Sequence, residues 1–114
     1  MERRSVPRVY QSLPALAVGV DADGEKFQIH SELDNYSAGG LYLWLGRRVK
    51  QGTRLFISFS PWSSQIDNYS ATMCVEVHGV VLRTEPQAEG MYGVAVAIEQ
   101  ERIFSRQEPL RNVC

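Results

Sequence analysis

The sequence predicts an all-β fold, a small six-stranded antiparallel (split) β-barrel with a short C-terminal helix. Apolar residues alternate with polar ones with a period of two, the apolar runs are short, and turn residues separate them at regular spacing. Strands of that length would leave exposed edges in an open sheet, and closure into a barrel removes them.

Residues 14–20 form the first predicted strand, and Asp21-Ala22-Asp23-Gly24 turns the chain with residue types that tolerate left-handed backbone. The second strand covers 26–33, where Phe27, Ile29 and Ser31 alternate with Gln28 and His30. Asp34-Asn35-Tyr36-Ser37 then interrupts the alternation, and residues 41–45 resume it as far as Gly46. A polar link containing Arg47, Arg48, Lys50, Gln51 and Gly52 leads to the strand 54–60, with Leu55, Ile57 and Phe59 on one face. Residues 61–68 read as a longer loop. A long strand over 70–84 follows, with a bulge or bend expected at Gly79. A polar turn over 85–90 precedes the last strand, 92–98. Beyond Ile98, residues 99–108 carry Arg102 and Arg106 four apart with Glu99 and Glu101 nearby, which predicts a turn or two of amphipathic helix before Pro109.

At 114 residues the chain suits one folding unit, residues 13–114, preceded by a flexible arm over residues 1–12. With 44% hydrophobic and 22% charged residues it has the composition of a globular domain. The net charge of -1 gives no basic surplus for a nucleic-acid polymer. That balance counts against a single-strand groove built from Arg47, Arg48, Lys50 and the aromatics. Of the two cysteines, Cys74 reads as a small core residue and Cys114 as a tail thiol, and their separation matches neither a metal spacing nor a redox pair. His30 and His78 lie far apart with no carboxylate or thiol at ligand spacing, so no metal is expected. No apolar run reaches membrane-span length and no signal-peptide pattern opens the chain, so a cytoplasmic protein without membrane insertion is expected. No phosphate-binding loop, nucleophile elbow or spaced acid/base pair is present, which favours a binding module over an enzyme.

Two short motifs carry the functional reading. Arg4-Ser5-Val6-Pro7-Arg8 is an RxxxR, and Asn35-Tyr36-Ser37-Ala38-Gly39-Gly40 is an NxSxxG. RxxxR alone is cheap, since an arginine-containing chain of this kind yields roughly one by chance, and a second runs from Arg102 to Arg106. NxSxxG is scarcer and occurs once. The second DNYS, Asp67-Asn68-Tyr69-Ser70, has Met73 where the first has Gly40, so only the first completes the motif.

In this order, and on a β-rich chain, the pair resembles the PilZ domain family, and the resemblance extends over nearly the whole chain, including Tyr92-Gly93-Val94-Ala95-Val96. The resemblance implies a six-stranded barrel that binds the bacterial second messenger cyclic di-GMP and relays it by conformational change to a protein partner. It implies Arg4, Arg8, Asn35, Ser37, Gly39 and Gly40 as ligand-binding residues, with no cofactor besides the ligand. The residue chemistry suits that ligand. Arginine forks onto phosphate or guanine and stacks on a base. Asn35 and Ser37 supply an amide and a hydroxyl, and Gly39 and Gly40 permit positive φ and are expected to bring backbone N–H groups close to the ligand, as in an anion-binding nest. Asn35 stands where the family often has Asp, and the alternative reading is therefore a PilZ-fold protein-interaction module with weak or no ligand binding.

Overall fold

Alternating apolar side chains need a common interior, and a sheet supplies one by curling until its first and last strands pair. The computed structural model describes residues 13–66 and 69–109. Its strands are β1 (Leu13–Val20), β2 (Lys26–Ser37), β3 (Gly40–Leu45), β4 (Arg54–Ile66), β5 (Tyr69–Pro86) and β6 (Tyr92–Pro109). They form a closed antiparallel barrel in the order β1-β2-β3-β6-β5-β4. The expected arm over 1–12, with Arg4 and Arg8, lies outside the described residues, as do Asp67, Asn68 and 110–114.

The core follows from the alternation. Ala15 and Ala17 of β1, Phe27 and Leu33 of β2, Leu41, Leu43 and Leu45 of β3, and Leu55, Ile57 and Phe59 of β4 all point inward and are buried. Val75, Val77 and Val81 of β5 and Val94 and Val96 of β6 complete the lining. Full burial of each such Val, Leu, Ile or Phe side chain contributes about 1.5–3 kcal/mol, which offsets the ordering of long strands. In the ring, β3 and β4 lie on opposite sides, so the link between them crosses one end of the barrel. Val49 of that link is buried and plugs the end, while its carbonyl accepts a hydrogen bond from Thr84 Oγ1 at 2.9 Å.

Bulges set where side chains face. The register between β5 and β6 shifts at His78/Gly79, the position expected from the sequence. A Cβ on Gly79 would lie 2.7 Å from the Ala97 carbonyl oxygen, so β6 packs where a side chain would stand.

Three expectations need correction. First, residues 61–66 are not loop: β4 runs on to Ile66, paired with β5. The register shift between Phe59 and Trp62 absorbs Pro61, since a bulge asks no ladder N–H of it. Second, Asp34-Asn35-Tyr36-Ser37 does not end β2 but lies within it. Third, residues 99–109 form no helix. They continue β6, with Arg102 opposite Glu76, Ile103 opposite Val75 and Phe104 opposite Cys74. A helix of ten residues is marginal in isolation, whereas a strand beside β5 satisfies one edge of its backbone and gains cross-strand pairs. Among the described residues the one helical piece is a single 3-10 turn, Ala88–Gly90, and no helix is long and apolar enough to cross a membrane. Cys74 is buried, as expected, but is disulfide-bonded rather than free.

Candidate functional site

The NxSxxG segment forms the tip of the β2–β3 hairpin, with Ser37 opposite Gly40 and Ala38-Gly39 as the turn. By simple alternation Asn35 would follow Leu33 into the core. The register shift between Leu33 and Asn35 leaves Asp34 as the extra residue, and the phase of the strand reverses there. Leu33 is therefore fully buried, while Asn35 and Ser37 are exposed on the outer face.

Tyr36, between them, turns inward. Its ring packs edge-on against Phe59 with centroids 5.0 Å apart, and its hydroxyl donates a hydrogen bond to Glu101 Oε2 on β6. Burial, and then the hydrogen bond and charge of Glu101, push the Tyr36 pKa well above the usual phenol range. The hairpin is tied to β6 a second time, where the Ile98 amide donates to the Gly39 carbonyl at 3.0 Å.

The two glycines behave differently from expectation. Neither has positive φ; among the described glycines that conformation belongs to Gly24, Gly52 and Gly90. The expected backbone nest is thus absent at Gly39-Gly40. Gly40 is needed for a different reason: a Cβ there would stand 2.9 Å from the Val96 carbonyl oxygen. At Gly39 an added Cβ would meet nothing within 4 Å.

The strand register extends the outer face beyond the motif. Asn35 is opposite Tyr42, Tyr42 opposite Ala95, and Ala95 opposite Arg83. The adjacent row runs Ser37, Gly40, Ala97 and Val80. The small residues Gly40, Ala95 and Ala97 thus lie in the rows beside Asn35 and Ser37, with Tyr42 and Arg83 in the same rows and Ala95 buried. Tyr42 donates to Glu85 Oε1 at 2.6 Å, and Arg83 Nε lies 3.0 Å from Glu85 Oε2. The Tyr42 hydrogen bond, and then that of Arg83, hold the Glu85 carboxyl below its ordinary value. The same bond raises the Tyr42 phenol. Sequence reasoning missed Tyr42, Arg83, Glu85, Ala95 and Ala97 as a group. They share a face only through the registers of three strands, β3, β6 and β5.

Arg102 of the second RxxxR has a structural partner. Its guanidinium pairs with Glu76 on β5 at 2.9 Å and lies 4.3 Å over the Phe104 ring, rather than pairing with Glu99 or Glu101 along a helix. Arg47 is likewise engaged, with Asp21 at 2.9 Å. His78 packs against Phe56, with ring centroids 5.0 Å apart.

Compared with family models, with curated proteins and with solved structures, the chain shows no match.

Proposed function

We propose that this protein is a receptor for cyclic di-GMP, binding it between the RxxxR segment and the outer face of the β2–β3 hairpin. The observation that carries the reading is a shared location. Leu13, where β1 begins, pairs with Leu33, so the chain that carries Arg4 and Arg8 joins the barrel beside the strand segment that exposes Asn35 and Ser37. Arg8 is five residues from Leu13, within an extended reach of about 17 Å.

The ligand's chemistry fits these groups. Two arginines neutralise phosphodiester charge and stack on guanine. Asn35 and Ser37 offer an amide and a hydroxyl to a base edge or phosphate oxygen. Beside Ser37 the row continues with Gly40 and Ala97, which set no large side chain against a flat base. Asn35 and Ser37 carry no charge, so Arg4 and Arg8 supply the electrostatic part of the affinity. Their capture would be the conformational change passed to a protein partner.

Isothermal titration calorimetry of the full chain with cyclic di-GMP tests the reading. Saturable heat that disappears in Arg4→Ala/Arg8→Ala supports it. No heat, or the same heat in that variant, removes it.

A further inference from the structure

The β6 strand outlives the barrel wall on one side. Tyr92 to Ala97 pair with β3, and the last bond to that hairpin is from the Ile98 amide to Gly39. From Gln100 to Pro109 the strand keeps its partner β5, but among the described residues no strand pairs with its other edge. Such an edge is a row of backbone donors and acceptors open to another strand. Natural proteins blunt these edges with charge or proline. This strand carries such charges, and Pro109 at its end, but at its centre stands Ile103, 55% exposed, whose diagonal neighbour on the same face, Met73, is also exposed.

A second copy of the chain is the occupant that the strand's own order of residues fits. In a two-fold antiparallel pair one residue must lie opposite itself, so the candidate registers can be tried in turn. An axis at Glu101 sets two carboxylates face to face, and one at Arg102 sets two guanidinium groups. An axis at Phe104 opposes Arg102 to Arg106. An axis at Ser105 wastes Ile103 on Gln107 and draws Pro109, which lacks an N–H, into the ladder. An axis at Ile103 has none of these faults. It sets Ile103 against Ile103, Glu101 against Ser105, Gln100 against Arg106, and Arg102 against Phe104. The last pair repeats between molecules the cation–π contact that Arg102 already makes with Phe104 in its own strand.

We infer that two copies of this protein associate through the open edge of β6, antiparallel, about a two-fold axis at Ile103. The seam is short, so the dimer is weak and its population rises with concentration. It does not depend on the ligand reading of the β2–β3 hairpin.

Charge swapping at the axis tests the register. Sedimentation of the full chain over a wide concentration range should show a monomer–dimer equilibrium, with slowed exchange of the alternate amides of residues 99–105 that face away from β5 as the dimer fills. Ile103→Lys and Ile103→Glu each put two like charges on the axis and should weaken association by about tenfold or more. Mixing the two variants should restore a one-to-one dimer. Because the side chain is exposed, both variants should keep the wild-type urea midpoint. A wild-type monomer at every concentration overturns the inference, and so does dimerisation unaffected by either charge. Equally fatal are a mixture that fails to associate and, in a monomer, protection of the alternate amides of 99–105 that face away from β5, which would assign the edge to a segment of the same chain.

Discussion

The phenol of Tyr36 donates a hydrogen bond to the carboxylate of Glu101, 65 residues further along the chain. That bond joins the strand exposing Asn35 and Ser37 to the part of β6 that leaves the barrel. Removing the hydroxyl with Tyr36→Phe keeps the ring contact with Phe59 and deletes only the bond, so urea denaturation should show a loss of about 0.5–1.5 kcal/mol. The effect has a pH signature. Folding raises the Tyr36 pKa above the ordinary 10.0, so its contribution is complete below pH 10 and is lost as pH rises beyond it. The gap in stability between wild type and Tyr36→Phe should therefore hold near neutrality and narrow in strong alkali. No gap at neutral pH would mean that Tyr36 acts through packing alone.

The two glycines of the motif should separate cleanly. Gly40→Ala forces a methyl to within 2.9 Å of the Val96 carbonyl oxygen, a backbone atom that has little room to yield, and should cost about 1–3 kcal/mol. Gly39→Ala meets open space at a φ that is not left-handed, and should leave the thermal midpoint nearly unchanged. Equal losses at both positions would restore the turn-conformation account of this pair.

Much of the barrel was legible because its information is local. Period-two alternation and turn residues give the strands, and Gly79 marks its own bulge. The tail was not legible, because Arg102 and Arg106 fall at helical spacing and strand formation there depends on β5, a partner distant in sequence. Pro61 misled for a similar reason, since only the paired strand reveals that it lies at a bulge. In the candidate site, Asn35 and Ser37 could be picked out by type, but their exposure depends on the extra residue at Asp34, which reverses the phase after Leu33. The register shift between Val81 and Arg83 does the same on β5, following a buried valine with an exposed arginine. Without these phase changes the row from Asn35 to Arg83 cannot be assembled from the sequence.

The fully buried Leu43 of β3 lies between β2 and β6, which carry the two sides of the motif face. Leu43→Ala leaves a cavity in a wall whose backbone is fixed on both edges, so collapse around it is restricted. A loss of about 2–5 kcal/mol is expected by urea denaturation, with barrel unfolding remaining a single transition. A change below 1 kcal/mol, roughly the cost of a volume-conserving swap, would show that this wall repacks freely.

Glu85 gives an acid-side measurement on the same outer face. Its carboxyl is held below the ordinary 4.5 first by the Tyr42 hydroxyl and then by Arg83. Its contribution to stability is therefore present above that value and is lost as pH falls through the lowered one. In a carboxyl-carbon NMR titration, Tyr42→Phe should raise the Glu85 midpoint, and Arg83→Ala should raise it by less. The reverse order would make the guanidinium, rather than the phenol, the group that fixes this carboxylate.

The two RxxxR segments make opposite predictions for ligand binding. Arg102 is already paired with Glu76 and stacked on Phe104, so Arg102→Ala should leave the cyclic di-GMP titration as it was. Its effect on stability should be small, about 0–1 kcal/mol for an exposed pair. Asn35→Ala and Ser37→Ala remove polar groups from the exposed face without touching the core, and each should weaken binding by about tenfold, one lost hydrogen bond to a charged or polar ligand. Calorimetry on the three variants decides between the sites. Binding lost in Arg102→Ala and kept in Asn35→Ala would move the ligand from the hairpin face to the β5–β6 extension.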